Sequence, residues 1–311
     1  MSAGRRGVVV VSGGGAISPF TTPTAGCASG LAAGSTDTGL REALLGAGLA
    51  VWTSPANIGH RPVRSDPDVN GFDGAPATLP AEMTVNAAGP IDTAGEHLAA
   101  FLGWLAAEEA LTEVDLVCHS MGGLFSRAAM RELRDDGHPL RVRSLVTLGT
   151  PWQGSLIADV ANGHRDVSLA AGDPSTEAII TDFRQLLADV SEGAGTQVTA
   201  RYLSGPDGWN ARQGDVLRDV PVTTIAGDWF TLPADDVDGG DPSAWPHDGL
   251  VSRASALAVD VPAEVLPEHR SHVFPDVHSI FFADQFGLPW HRALTWNPDV
   301  MKVVLDALAA A

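Results

Sequence analysis

The sequence predicts an α/β fold with a mostly parallel central sheet and helices on both of its faces. Its candidate strands are short, continuous apolar runs rich in β-branched residues, which is typical of strands buried on both faces. Helical patterns alternate with these runs, as right-handed crossovers between parallel strands require. At 311 residues the chain can bury one large core, and we expect a single domain over residues 1–311.

The predicted elements follow one another in a regular order. Five strands are expected, at residues 8–11, 50–53, 114–118, 144–148 and 222–226. Four helices are expected, at residues 38–46, 93–111, 121–133 and 298–309. One more short strand and a turn are expected within residues 271–280, ahead of a further helix.

Two regions interrupt this alternation. Residues 56–90 are rich in Pro, Gly and Asp, which predicts a long loop. Residues 152–218 hold a helical pattern at 177–190 and a strand pattern at 198–203, without regular alternation. An insertion of this size between two sheet strands predicts a cap or lid within the domain rather than a second domain.

Composition argues against several classes of function. The chain has 38 acidic and 19 basic residues and a net charge of −19, so it lacks the basic face that a nucleic-acid partner requires. No apolar run approaches the length of a membrane span, and no stable membrane insertion is expected. Two cysteines make no disulfide framework, and no signal-peptide core is visible. A cytoplasmic location is therefore the default expectation, although a trimmed secreted chain would look the same.

The stretch VDLVCHSMGGL, residues 114–124, places Ser120 where a buried strand turns into a helix. A plain helix N-cap would explain such a serine. The alternative is a nucleophile elbow, a strained turn that holds the hydroxyl above the sheet and requires small residues around it. Gly122 and Gly123 meet this requirement on one side, and the small Cys118 takes the position where glycine is usual. The pattern favours a nucleophile.

This segment resembles the nucleophile turn of α/β-hydrolase lipases and esterases. The resemblance implies the α/β-hydrolase fold, with serine, acid and histidine following one another along the chain. A second segment, HDGLVSRASA at 247–256, is similar to the DGLV segment of bacterial triacylglycerol lipases, in which the aspartate is the triad acid. It implies Asp248 as the acid. Asp228, directly after the fifth strand, and the pair Asp235 and Asp236 remain open as alternatives.

The base has to be a histidine that follows the serine and the acid. The stretch SHVFPDVHSI, residues 271–280, predicts a strand, a turn and a histidine just ahead of a helix, where a base can approach the serine while packing holds it. In the lipases the histidine likewise opens a helix after the last strand, a position that His278 matches. His272 is the alternative. His119 adjoins Ser120, on a turn that is expected to point its ring elsewhere.

The glycine loop VVVVSGGGA after the first strand resembles the oxyanion segment of lipases, with Ser12 where they carry histidine. The first oxyanion donor is expected to be the N–H of Met121, the residue after the nucleophile. The resemblance implies Gly14 as the second donor, with Gly13 and Gly15 close behind. The loop lacks the lysine of a phosphate-binding P-loop.

Two further expectations come from the same resemblance. The segment TLGTPWQGS, residues 147–155, is similar to the LGTP-x-x-GS segment of these lipases and implies that Trp152 forms a wall beside the nucleophile. Trp229 and Trp245 flank the acid loop and are equally well explained by packing. The lipases also hold a structural calcium through acids just after the histidine. Here the first acid after it is Asp284, so we expect no calcium, no other metal and no cofactor.

Together these motifs predict a serine hydrolase that cleaves carboxylic esters of apolar, uncharged substrates through an acyl-enzyme. Ser120, His278 and Asp248 would form the triad, with Met121 and Gly14 as the oxyanion hole. An acyltransferase or a thioesterase would use the same triad. A non-catalytic α/β-hydrolase binding protein is the rival of another class, but such proteins commonly lack part of the triad. The expected partner is a small ester or acyl compound.

Overall fold

The computed structural model describes residues 5–27, 36–73, 77–188, 193–232, 241 and 243–311. Its main sheet has six strands, and every neighbouring pair is parallel. We number these strands in chain order as β1 Arg5–Val11, β2 Val51–Thr53, β3 Leu111–His119, β4 Arg141–Leu148, β5 Val222–Gly227 and β6 Arg270–Phe274. Two short strand pairs lie outside the sheet: Gly26–Cys27 with Phe72–Asp73, and Ala56–Asn57 with Val85–Asn86.

Helices cover both faces of the sheet. In chain order they are α1 Thr36–Gly46, α2 Ile91–Glu108, α3 Gly122–Asp135, α4 Leu156–Ala161, α5 Pro174–Ala188, α6 Ala194–Gln197, α7 Ala200–Ser204, α8 Trp209–Gln213, α9 Arg253–Ala256, α10 Ile280–Gln285 and α11 Pro298–Ala310. Alternate residues of β1 face opposite layers. Val9 and Val11 belong to the core under α2 and α3, whereas Val8 and Val10 belong to the core under α1 and α11. This architecture confirms the predicted α/β-hydrolase fold class.

The strand order β6-β5-β4-β3-β1-β2 contains one reversal of direction. The chain leaves β1 toward β2 at one edge and then returns to build β3 on the other side of β1. Ligands of open parallel sheets bind outside the carboxyl ends of the strands at such a switch point. The sequence puts the glycine loop directly after β1 and Ser120 directly after β3, so the two loops meet at this point.

One predicted element is wrong. The pattern at residues 198–203 predicts a strand, but the chain there forms the helix α7, Ala200–Ser204. The hydroxyl of Thr199 accepts a hydrogen bond from the backbone N–H of Tyr202 at 3.3 Å, so this β-branched residue caps a helix instead of extending a strand. The five predicted sheet strands and the additional strand within residues 271–280 are all present.

The segment between β4 and β5 contributes helices α4 to α8. Helices α4 and α5 pack around an apolar cluster that includes Ile157, Val160 and Ile180. The same cluster takes in Val277 and Ile280, beside His278, so the segment is packed onto the sheet's carboxyl edge. Its role as a cap within a single domain stays a prediction.

Candidate active site

Ser120 sits in a strained turn at the end of β3. Its φ is 53°, a left-handed conformation that residues other than glycine rarely adopt. The turn is held by two hydrogen bonds: the N–H of Ser120 donates to the carbonyl of Leu148 at 2.8 Å, and the hydroxyl of Thr150 donates to the carbonyl of Ser120 at 2.7 Å. The side chain is half-buried at the carboxyl edge of the sheet. This is the geometry of a nucleophile elbow rather than of an ordinary N-cap.

Small residues are required around this turn because other backbone segments pass close to it. A Cβ on Gly122 would lie 2.4 Å from the carbonyl oxygen of Val11, and a Cβ on Gly13 would lie 2.5 Å from the Cβ of Ser120. Cys118 is fully buried on the other side, and burial raises the pKa of its thiol to about 12. The thiol is therefore a packing group, and the departure from glycine at this position leaves the elbow intact.

His278 and Asp248 form a buried pair. The ring Nδ1 of His278 lies 2.7 Å from Oδ2 of Asp248, and the two residues are 2% and 0% exposed. Oδ1 of Asp248 accepts hydrogen bonds from the N–H groups of Leu250, at 3.0 Å, and Val251, at 2.8 Å. The carboxylate is thus an acceptor held toward Nδ1, which assigns the ring proton to Nδ1 and makes Nε2 the basic nitrogen. That Nε2 has no hydrogen-bond partner among the described residues.

The pair lies against the strand end that carries Ser120. Gly149 follows Leu148, the residue whose carbonyl accepts the N–H of Ser120. A Cβ at Gly149 would lie 2.9 Å from Nδ1 of His278 and 3.0 Å from Oδ2 of Asp248. His278 and Asp248 therefore lie against Gly149 at the end of β4, one residue beyond the carbonyl that accepts the backbone N–H of Ser120.

The other triad candidates lie elsewhere. His272 is within β6, paired in register with Ile225. Oδ2 of Asp228 accepts a hydrogen bond from Arg253 at 3.1 Å. Among the described residues, no hydrogen bond or ion pair joins His272 or Asp228 to Ser120, Asp248 or His278. Asp235 and Asp236 lie outside the described residues.

Two residues with backbone N–H groups that could bind an oxyanion border the space above Ser120. Gly14 and Met121 line the same cavity as the serine, and no hydrogen bond to another described residue uses either of their N–H groups. The N–H of Gly15, in contrast, donates to the carbonyl of Ala87 at 3.1 Å. Helix α3 begins one residue after Met121, so its positive N-terminal end also points at this space. The arrangement can receive a negatively charged oxygen.

The cavity over Ser120 has a volume of about 280 Å³. Its lining is small and apolar, and none of the described residues that line it carries a charge. The insertion supplies one side and the acid loop another, through Phe183, Ala194, Val198, Leu250 and Val251. Residues 56–90, predicted as a long loop, contribute Ile58, Ala87 and Ala88.

Trp152 is not a wall of this cavity, contrary to the prediction. It is fully buried, with its ring 4.5 Å from the guanidinium carbon of Arg127 and its Nε1 donating to the hydroxyl of Thr147 at 3.2 Å. Its neighbour Pro151 lines the cavity instead. Trp229 and Trp245 are also absent from the described lining, and Trp245 packs against the ring of His247 at 4.4 Å.

The acid loop is tied to the insertion through His247. The N–H of Gly249 donates to Nδ1 of His247 at 3.1 Å, so Nε2 carries the proton and donates to the hydroxyl of Thr176 at 3.1 Å. That hydroxyl donates in turn to Asp173 at 2.7 Å, just before α5. Burial lowers the pKa of His247 to about 4 and keeps it neutral. The chain of bonds steadies the residue next to Asp248.

His119 is the site residue that the sequence reasoning missed. Its ring centroid lies 4.7 Å from that of His278, whereas the turn was expected to point it elsewhere. Alternate residues of a strand share a face, so His119 lies on the same face of β3 as Val117. The sequence alone could have predicted this orientation of the His119 side chain. The approach of the His278 loop to that face is long-range and has no local signal.

The described residues contain no group of three or more His, Cys, Asp or Glu side chains arranged to hold a metal ion. None of their helices combines the length and apolarity that crossing a membrane requires. The expectation that no calcium is bound stays a prediction.

A family model described as a PGAP1-like alpha/beta domain matches residues 100–166, which include the turn at Ser120. The sequence has no significant match among curated proteins. Similar solved structures include lipase BlEst2 from Bacillus licheniformis in mature form, 17% identical with a TM-score of 0.48, covering 86% of this chain and 84% of that chain. A thermophilic esterase from Thermogutta terrifontis is 15% identical with a TM-score of 0.46, covering 99% and 91%. At these values the likeness carries no argument about activity, which we infer from the site.

Proposed function

We propose that this protein is a serine hydrolase that cleaves carboxylic esters through a covalent acyl-enzyme. The observation that supports it most directly is the buried His278–Asp248 pair, at 2.7 Å, packed against the strand end that carries a serine with a φ of 53°. A strained serine, an oriented imidazole and a buried carboxylate are the three parts that activation of a hydroxyl nucleophile requires.

In the proposed mechanism, Oγ of Ser120 attacks the ester carbonyl while Nε2 of His278 takes its proton. Asp248 keeps the ring in the Nδ1–H tautomer and stabilises the imidazolium that forms. The N–H groups of Met121 and Gly14 bind the oxyanion, and each such donor contributes on the order of 3 kcal/mol to the lowering of the barrier. The imidazolium then protonates the departing alcohol, and a water activated by the same ring releases the acid.

The lining of the cavity supports a substrate that is apolar and uncharged. None of its described lining residues is charged, and the chain as a whole carries a net charge of −19 that would repel anionic acyl groups. A cavity of about 280 Å³ is suited to an acyl group of medium size rather than a long chain held along its full length. Residues 152–218 act in this proposal as the cap that shapes the pocket, through Phe183 and Val198.

The test is labelling by a fluorophosphonate probe together with hydrolysis of p-nitrophenyl esters of increasing chain length. We expect the parent to be labelled and to prefer short to medium chains. Ser120→Ala should abolish both signals, and Asp248→Asn should lower kcat by about 10⁴-fold because the histidine would adopt the wrong tautomer. Ser168→Ala, at an exposed serine of the insertion, is the matched control and should behave as the parent.

A parent that is neither labelled nor active on any ester would contradict the proposal and favour a binding protein. If acyl transfer to an added alcohol or amine is faster than hydrolysis, the protein is an acyltransferase that uses the same triad. Preference for a thioester over the matching oxygen ester would identify a thioesterase.

A further inference from the structure

His119 joins the candidate nucleophile to the candidate base. It is the last residue of β3, directly before Ser120, and it is 5% exposed. Its Nε2 lies 2.9 Å from the backbone carbonyl oxygen of His278. A carbonyl can only accept, so this nitrogen carries the proton and donates it to the bond.

The hydrogen bond from His119 ties His278 to the strand that carries Ser120, whereas the hydrogen bonds with Asp248 do not. Asp248 binds His278 twice, through its carboxylate at 2.7 Å and through its backbone carbonyl, which accepts the N–H of His278 at 2.8 Å. Both of these contacts are internal to the acid–base pair, so the pair could move as a unit without breaking either. The bond from His119 comes from the strand that carries Ser120. It therefore fixes where the pair lies relative to the nucleophile.

The ring of His119 also packs on the ring of His278, with centroids 4.7 Å apart and planes inclined by 47°. Burial and the neighbouring His278 lower the pKa of His119 to about 3. His119 thus stays neutral while His278 takes up a proton, and no second positive charge opposes the imidazolium. Phe282 closes another side of the His278 ring in an edge-on contact with centroids 6.3 Å apart.

We propose that His119 is a positioning residue, whose Nε2–H···O=C bond sets the distance between Ser120 and the ring of His278. This inference rests on the proposed function, because its effect is felt in the proton transfer between those two residues. A misplacement of about 1 Å in such a step can lower the rate by about 100-fold. His119 is not among the residues that line the substrate cavity, so substrate binding should be spared.

The test compares His119→Gln with His119→Asn in the full-length protein. The amide nitrogen of glutamine can reach the position of Nε2 and donate to the same carbonyl, whereas the asparagine amide is one bond too short. We expect His119→Gln to keep kcat within about threefold of the parent. His119→Asn should lower kcat by about 10- to 100-fold with KM changed less than about twofold.

Thermal midpoints of both variants separate positioning from loss of the fold. Equal kcat in the parent and in His119→Asn would overturn the inference. So would an equal loss of kcat in His119→Gln and His119→Asn when both keep the thermal midpoint of the parent. If His119→Asn does not fold, His119→Phe keeps the ring and removes the donor, and the same loss of kcat is expected. The parent ring can also be examined by imidazole ¹⁵N NMR, where a solvent-exchanging Nε2–H at His119 would contradict the bond. An inactive parent, by contrast, would refute the proposed function itself.

Discussion

Replacement of Asp276 by asparagine should make the protein more stable, increasingly so as the pH rises. Asp276 is fully buried on the loop after β6, where Oδ2 accepts a hydrogen bond from Nδ2 of Asn297 at 2.6 Å and Oδ1 has no partner among the described residues. Burial raises the pKa of Asp276 from 3.8 to about 6. The bond from Asn297 and the charges of Arg292 and His291 oppose this rise, and Asp299 adds to it.

The sign of the effect follows from proton binding. Between pH 3.8 and about 6 the folded protein holds the proton of Asp276 more tightly than the unfolded chain does, so the free energy of unfolding falls as the pH rises through this window. A pKa of about 6 in the folded protein, against 3.8 in the unfolded chain, corresponds to a loss of about 3 kcal/mol in the free energy of unfolding by pH 7. Asp276→Asn removes the ionisation and keeps an acceptor for Asn297. The variant should therefore gain up to about 3 kcal/mol on the parent between pH 4 and pH 7.

Urea unfolding at fixed ionic strength, followed by tryptophan fluorescence from pH 4.5 to 7.5, measures this difference. Glu264→Gln removes an exposed carboxyl and serves as the control, for which a difference independent of pH is expected. A difference between Asp276→Asn and the parent that stays constant over the range would refute the reasoning. So would a growing disadvantage of the variant, because Asp276 would then be ionised and favourably paired in the folded protein.

Two further predictions test the packing at Gly13, against Ser120, and at Arg127, between Trp152 and Trp209. Gly13→Ala places a methyl group 2.5 Å from the Cβ of Ser120, and we expect fluorophosphonate labelling and ester turnover to fall by about 100-fold. Gly26→Ala is the control. Its methyl group meets nothing within 4 Å, so both signals should stay unchanged. A fully active Gly13→Ala would count against the observed approach of the two loops. Arg127→Ala should lower the free energy of unfolding by about 3 kcal/mol by opening a cavity between two indoles. Arg127→Met should recover more than half of that in urea unfolding, and equal losses would mean that the charge matters more than the packing.

Much of the sheet could be predicted because its strands are buried on both faces. A segment covered by helices on each side has to be apolar throughout, so the runs at 114–118 and 222–226 are visible without any partner. The order of the strands is not visible in this way, because pairing is decided by crossovers between distant segments. At residues 198–203 the strand propensity of the sequence gives the wrong prediction, because the hydroxyl of Thr199 caps the helix α7.

The candidate site divides in a similar way. Ser120, Asp248 and His278 could be selected as candidates because the α/β-hydrolase fold that the motifs imply has a fixed chain order of serine, acid and histidine, and because each lies in a recognisable local segment. The hydrogen bond from His119 to the carbonyl of His278 joins residues 159 positions apart, and neither local segment contains a sign of it. Local motifs therefore predict the candidate reacting groups, whereas the contacts that place those groups are visible only in the fold.

Trp152 shows why a motif could not predict its own side chain's environment. Its indole is drawn away from the cavity by Arg127 of α3, whose guanidinium carbon lies 4.5 Å from its ring and 4.9 Å from the ring of Trp209 on α8. A buried guanidinium without a carboxylate is costly, and burial lowers its pKa to about 9. The two indole faces and Oδ1 of Asn210, at 2.8 Å, offset part of this cost, while Nε and Nη2 of Arg127 have no hydrogen-bond partner among the described residues. Trp209 and Asn210 belong to the insertion, so their contacts with Arg127 anchor α8 to α3, the helix that follows Ser120. The contact of Arg127 with Trp152 keeps that indole out of the cavity. Pro151 therefore forms the wall instead.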